Sequence, residues 1–181
     1  MRDALAVASR SAVAGLAAVL VLAAPAGALE PRFDHRDQMG LAAEVGFGRV
    51  TATTSGGLSR STYDLGSLRL AWSLEVTGEG DEILLGGSWS PAVEVGETAW
   101  VVDARYRGFF GSEELKTFFD AGLVAAVAPR VAAGPRLGFG VMYDFSRDAG
   151  VFASLGAATA FGEFRGFSVG VGVGFQWRWP S

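Results

Sequence analysis

The chain has 181 residues, a formal net charge of −4 at pH 7, and apolar side chains at half of its positions. This length fits one domain, and the modest negative charge gives no indication of a nucleic-acid partner. Cysteine is absent, which excludes a disulfide framework, a thiolate metal site and a lipid-modified N-terminal cysteine.

Residues 1–28 are predicted to form a cleaved signal peptide. Arg2 and Arg10 flank a short start, residues 12–24 are continuously small or apolar, and Ala26-Gly27-Ala28 supplies a small-x-small cleavage pattern. The alternative is a transmembrane helix anchor. The apolar run is only about 13 residues long, however, and a span needs about 20, so the signal peptide is favoured.

Residues 29–38 are charged and unpatterned, and they are predicted to be a flexible lead-in to the folded domain. This stretch holds the only histidine of the chain, His35. A single histidine among charged neighbours is predicted to be a solvated side chain, not a ligand or a base.

Eight segments follow in which apolar residues alternate with small or polar ones. They predict strands at about residues 39–51, 61–77, 82–90, 98–109, 115–128, 131–144, 149–161 and 167–179. Turn-forming residues separate them, as in residues 53–57 and 78–81. Each segment reaches the roughly 9–11 residues that a tilted strand needs to cross a bilayer.

The last of these segments indicates what surrounds the strands. Every odd position from Phe167 to Trp179 is apolar, while Gly170, Gly172 and Gly174 occupy the centre of the other face. A column of glycine is typical of a crowded interior such as that of a narrow closed barrel, so the apolar face should point outward to lipid. The predicted fold is therefore all-β, an eight-stranded antiparallel up-and-down transmembrane barrel over residues 39–179. A secreted lipocalin-like carrier, with its apolar faces turned inward, is the alternative.

The aromatic residues test this prediction, because a barrel in a membrane should gather them at two heights. With the chain reversing at each turn, they divide into two predicted girdles. One contains Phe47, Trp89, Trp100, Phe161 and Phe167, and the other contains Trp72, Tyr106, Phe119, Tyr143, Trp177 and Trp179.

With its signal peptide, eight alternating segments and a closing strand that carries Phe175, Trp177 and Trp179, the chain resembles the small eight-stranded outer-membrane barrels of Gram-negative bacteria, the OmpA and OmpX type. The resemblance implies a location in the cell outer membrane and contact with outer-membrane lipid. It also implies insertion by the barrel-assembly machinery, which reads the closing strand. We expect a monomer.

Sequence motifs for catalysis are absent: the chain has no G-x-S-x-G, no H-E-x-x-H and no G-x-x-x-x-G-K. Some eight-stranded barrels are lipid A deacylases or palmitoyl transferases, which need a histidine near the membrane rim. His35 lies outside the predicted barrel. The sequence therefore predicts a non-enzymatic protein without a cofactor or a metal.

The predicted inner face carries the remaining candidate site, a set of charged residues. They are Glu44, Arg69, Glu75, Asp103, Arg105, Arg107, Lys116, Asp120, Arg136 and Arg178. Since eight strands leave little free lumen, these charges are predicted to form a salt-bridged plug, and the alternative is the lining of a narrow passive channel. Turn positions predict Glu44 opposite Arg69, and Asp120 beside Arg105 with Arg136 reaching it from the next strand.

Overall fold

The computed structural model describes residues 37–54, 60–77, 80–91, 98–111 and 114–181, which form eight strands. They are β1 (Gln38–Thr54), β2 (Arg60–Glu75), β3 (Glu82–Pro91), β4 (Thr98–Phe110), β5 (Leu115–Ala128), β6 (Ala132–Ser146), β7 (Ala149–Gly162) and β8 (Phe164–Pro180). The predicted signal peptide, residues 29–36 of the predicted lead-in, residues 55–57 of the first predicted turn and residues 78–79 of the second lie outside the described residues.

The strands close into one antiparallel barrel in chain order, with β1 paired to β8 as well as to β2. The β1–β8 ladder runs from the Gln38–Pro180 pair to the Thr54–Phe164 pair. The first strand thus begins at Gln38, one residue before the predicted start, because its pairing with β8 extends that far. Closure leaves no strand edge unpaired, and the predicted all-β up-and-down barrel is confirmed.

Alternation along each strand divides the side chains between the lumen and the outer surface, since successive residues of a strand point to opposite faces. Apolar side chains cover the outside: Val45 is 60% exposed, and Leu137 is 65% exposed. Charged side chains point inward, and Arg107 has no exposed surface. The lipocalin-like alternative is therefore wrong, because it requires the apolar faces to line the interior.

The barrel has two ends that we name by the course of β1. In the proximal half, β1 begins and β8 ends; in the distal half, β1 ends and β8 begins. Connections between strands are short at both ends: two residues separate β6 from β7 and one residue separates β7 from β8. At the proximal end, Val76 N donates to the Asp81 carbonyl at 3.0 Å across the β2–β3 turn.

The proximal half also encloses an apolar cluster of Ala42, Phe118, Met142 and Phe152, against which Phe109 packs. The Phe118 and Phe152 rings meet edge to face, with centroids 6.3 Å apart. These side chains fill the lumen beside the inward-facing glycines, which have no side chains of their own. Within the part of the chain that the structure describes, no helix has the length and apolar character to cross a membrane.

Candidate functional site in the barrel lumen

Six charged residues form what we call the central network: Glu44, Arg69, Asp103, Arg105, Arg107 and Asp120. Arg69 reaches from β2 across β3 to β4, where its Nη2 donates to Asp103 at 2.6 Å. Arg105 Nη1 donates to Asp120 at 3.0 Å, and Arg107 Nε donates to the same carboxylate at 2.8 Å. Glu44 lies 3.6 Å from Arg69 and 3.7 Å from Arg105.

Four further charged residues form the terminal network nearer the proximal end: Glu82, Lys116, Asp144 and Arg178. Arg178 on β8 donates to Glu82 on β3 and to Asp144 on β6, both at 3.0 Å. Lys116 lies 2.7 Å from Asp144. Strands β8 and β3 are not neighbours, so the Arg178–Glu82 pair joins opposite walls of the lumen.

The networks and the apolar cluster pack against one another. The guanidinium of Arg107 stacks on the Phe118 ring at 3.9 Å from its centroid. Gln176 donates to Ser73 at 2.9 Å and to Glu82 at 2.8 Å, and Ser154 donates to Glu44 at 2.9 Å. Stacking and hydrogen bonding of this kind hold buried charges at fixed positions, because each alternative position would leave a desolvated group unpaired.

Glycines on the inner face create the room for these side chains. A Cβ on Gly86 would lie 2.6 Å from the Arg69 guanidinium. A Cβ on Gly172 would collide with the Glu44 carboxylate, and a Cβ on Gly174 would collide with the Phe152 ring. Inward glycines such as Gly86, Gly172 and Gly174 therefore mark places where a neighbouring strand's side chain crosses the lumen.

Most of the predicted inner charges belong to the two networks, but three expectations need correction. Glu44 does pair directly with Arg69. Asp120 stands in register with Arg107, not with Arg105, because the β4–β5 pairing is centred beyond Gly111. The predicted contact between Arg105 and Asp120 nevertheless forms, at 3.0 Å. Glu75 is engaged at the β2–β3 turn, where it accepts a hydrogen bond from Thr77 N at 3.0 Å.

The third correction concerns Arg136. It pairs in register with Gly122 on one side and with Ala158 on the other. Within the described lumen no hydrogen bond or ion pair joins it to Asp120, and its Nε is buried without a hydrogen-bond partner. Its side chain lies over Gly156, whose Cβ position is 3.0 Å from Nη2.

Sequence reasoning missed Glu82 and Asp144, the two carboxylates of the terminal network, because both stand at predicted turn boundaries. The signal that could have found them is parity. Glu82 shares the inward parity of Gly86, and Asp144 shares that of Gly140. Extending each alternation to the end of its strand would have placed both carboxylates in the lumen.

The distal half of the lumen holds a cavity of about 220 Å³. Its walls carry apolar and small side chains, among them Val50, Leu65, Val101, Val124, Ala126 and Phe164. Glu44, Arg69, Asp103, Arg136 and Ser154 line its end next to the central network. The lumen is thus packed on one side of the central network and hollow on the other.

On the outer surface, strand alternation turns the residues of both predicted girdles outward; the girdle with Trp89 and Trp100 is the distal girdle, and the one with Trp72 and Trp179 is the proximal girdle. Trp89 and Trp100 form a direct pair on the distal part of β3 and β4. In the proximal girdle, Trp72 and Trp179 meet edge to face with centroids 5.3 Å apart. Phe110 extends this girdle, and its ring centroid lies 5.7 Å from that of Phe119. The sequence prediction omitted Phe110 because this residue adjoins a predicted turn.

Beyond the distal girdle the outer surface becomes polar. Arg49 follows Phe47 on the same face of β1 and donates from Nε to Asp64 at 2.8 Å. This hydrogen bond lowers the pKa of the Asp64 carboxyl below its ordinary value. A charged pair on the outer face fixes the distal limit of the apolar band.

Comparison with known proteins bears on the fold. No protein-family model matches the chain, and no curated protein matches it in sequence. The crystal structure of Neisserial surface protein A (NspA) matches 76% of this chain and 96% of its own, with a TM-score of 0.59 and 11% identity. The chain has the fold of the small eight-stranded outer-membrane barrels. A de novo designed transmembrane β-barrel matches 80% of the chain and 97% of its own, with a TM-score of 0.51 and 12% identity.

Proposed function

We propose that this protein is a non-enzymatic, integral outer-membrane barrel whose proximal lumen is sealed by ion pairs and which has a structural role in the envelope. The observation that carries this proposal is the Arg178–Glu82 pair, which joins opposite walls of the barrel at 3.0 Å. An open channel would need that cross-section to be free of side chains.

The outer surface supports a position within a lipid bilayer. From Met39 to Phe47 the outward residues of β1 are all apolar, and nine residues match the length of a tilted membrane strand. Aromatic residues at both ends of such a band anchor a protein at the two lipid–water interfaces. The fold shared with outer-membrane barrels favours the outer membrane over other bilayers.

Burial of the networks supports a sealed lumen. Arg105, Asp120, Asp144 and Arg178 are each at most 2% exposed, so water has little access to the groups that an ion would have to pass. A permeating ion needs polar groups that can replace its hydration shell and then release it. Carboxylates already held by arginine do not offer such sites.

Engagement of the carboxylates also favours a non-catalytic role. Glu44, Asp103 and Asp120 each form an ion pair with at least one guanidinium, which occupies the carboxylate oxygens that a general base would use. The described residues contain no histidine. The same residues contain no group of three or more side chains that could hold a metal ion.

Biogenesis follows from the same proposal. Residues 1–28 direct export and are removed, and the barrel-assembly machinery inserts the chain by its closing strand, which presents Phe175, Trp177 and Trp179 outward. Closure of the barrel leaves no free strand edge for pairing with a second chain, which supports a monomer. Outer-membrane lipid is its main partner.

Localisation is tested by separating inner and outer membranes on a sucrose gradient. We expect the protein in the outer-membrane fraction, with a gel mobility that changes on heating because a folded barrel is more compact than its unfolded chain. Recovery in the soluble fraction without detergent would contradict the proposal.

Sealing is tested by single-channel recording in planar bilayers at high salt. The parent barrel should give no conductance steps. A five-residue variant should give them: Arg105→Ala, Arg107→Ala and Asp120→Ala remove crossing side chains of the central network. Glu82→Ala with Arg178→Ala removes the pair that joins opposite walls and leaves Lys116 paired with Asp144. Val173→Ala, on the outer face, is the control and should behave as the parent. Steps of equal size in the parent and the five-residue variant would favour the channel alternative.

A further inference from the structure

The distal cavity differs from the rest of the lumen in having space and a cation without a partner. Its volume of about 220 Å³ equals that of about seven water molecules in the liquid. Val50, Leu65, Val101, Val124 and Phe164 supply apolar wall. Such walls hold water poorly, so a ligand with an apolar body would gain from replacing it.

Charge balance identifies the cation. The central network contains three guanidinium groups and three carboxylates, and the terminal network contains two cations and two carboxylates. Both networks are therefore neutral by themselves. Arg136 stands beside the central network as an additional positive charge, and it lines the cavity.

Arg136 also has unused hydrogen-bonding capacity. Its Nε is buried without a partner, and across the described lumen no carboxylate forms an ion pair with it. On β7, Ser154 also lines the cavity, two residues from Gly156, over which the guanidinium lies. Arg136 is half-buried, so its charge is only partly compensated by solvent, and an anion that entered the cavity would supply the missing counter-charge.

We infer that the distal cavity binds one small amphipathic anion, with its charged head on Arg136 and its alkyl part along the apolar walls. The volume fits a short-chain carboxylate and is too small for a complete phospholipid. A planar guanidinium suits this head group because it can donate two parallel hydrogen bonds to a carboxylate. This inference does not depend on whether the proximal half conducts ions.

Hexanoate is a suitable probe, added to the barrel in lipid nanodiscs and followed by saturation-transfer NMR against empty nanodiscs as the baseline. We expect saturable binding to the barrel, at least tenfold weaker binding by Arg136→Met, and partial rescue by Arg136→Lys. Arg130→Met is the matched control, because Arg130 is exposed in the β5–β6 turn, and it should bind as the parent does.

Adjacent alanines on β5 provide a second test by volume alone. Ala126 lines the cavity, whereas Ala125 has the opposite parity and points outward. Ala126→Trp should abolish hexanoate binding by filling the cavity, and Ala125→Trp should leave it unchanged. Heat-modifiable gel mobility verifies that each variant folds, and if Ala126→Trp does not fold, the Arg136 variants still decide the question.

Three outcomes would overturn the inference. Binding that survives both Arg136→Met and Ala126→Trp would place hexanoate elsewhere. Equal binding of neutral hexanol would show that Arg136 does not recognise the head group. Binding of inorganic phosphate as tight as that of hexanoate would show an anion site to which the apolar walls add nothing.

Discussion

The two halves of the lumen arise from the same alternation and nevertheless have opposite interiors. Proximally, long inward side chains such as Arg105, Arg178 and Phe118 are almost fully buried. Distally, the inward positions carry short ones such as Ser88 and Ala126, and a cavity remains. Alternation therefore decides which side chains face inward, but the length and pairing of those side chains decide whether the lumen is filled.

Glycine shows the same contrast. In the proximal half, Gly174 accommodates the Phe152 ring. In the distal half, Gly48 and Gly170 face each other, with the Cβ position of Gly48 only 3.2 Å from the Gly170 Cα. There the glycines let two strands approach without a side chain between them, and the space they leave belongs to the cavity.

The largest expected loss of stability comes from breaking the central network. Asp120→Ala leaves Arg105 and Arg107 without their shared carboxylate, and such a buried unpaired charge costs about 3–5 kcal/mol. Adding Arg107→Ala should recover part of the loss. Urea titration in lipid vesicles measures both.

The distal counterpart of that test is Ser88→Ala, which lies on the cavity wall and should change the free energy of unfolding by less than about 0.5 kcal/mol. Comparable losses for Asp120→Ala and Ser88→Ala would remove the distinction between the halves. Strict additivity of Asp120→Ala and Arg107→Ala would show that the two residues do not interact.

The next effect tests whether the halves share one lipid-facing surface despite their different interiors. Val173 lies midway between Phe167 and Trp179 on the outer face of β8, so Val173→Arg should cost about 2–4 kcal/mol in a vesicle folding titration. Thr51→Arg, beyond Phe47 on β1, should cost about 0–1 kcal/mol. Equal tolerance at the two depths would argue against the lipid assignment.

A smaller effect separates inner from outer glycines on one strand. Gly86→Leu should destabilise the barrel by about 1–3 kcal/mol, because it overpacks the space that Arg69 occupies. Its neighbour Gly87 faces the other way and meets only the Val101 carbonyl, at 3.9 Å, so Gly87→Leu should be tolerated. Indistinguishable unfolding curves for the two variants would mean that the proximal lumen has spare volume.

The smallest change in stability is expected on the outer surface beyond the distal girdle. Asp64→Asn removes the ion pair with Arg49, and an exposed pair contributes about 0.2–1 kcal/mol. Because the native pKa of Asp64 is lowered, this contribution is present above the ordinary carboxyl pKa and is lost as the pH falls through the lowered one. Parent and variant should therefore converge in stability at low pH, and a difference that persists there would point to another cause.

The sequence by itself determined the strands, their faces and the closed architecture. Period-two alternation is a local property, so Phe167–Trp179 shows its two faces without any knowledge of the other strands. The Glu44–Arg69 pair was also within reach, because the two strands are consecutive and share one short connection that limits their register.

Only the tertiary structure decided which inward charges meet. Arg178 and Glu82 are 96 residues apart, and closure of the barrel brings their strands to face each other. Asp120 meets both Arg105 and Arg107, and the register that sets Arg107 directly opposite it depended on a turn whose centre no local signal fixed. Arg136 lies outside the ion pairs, and side chains do not fill the distal cavity. Contacts across a lumen depend on strand stagger and side-chain length together, and neither is a property of one segment.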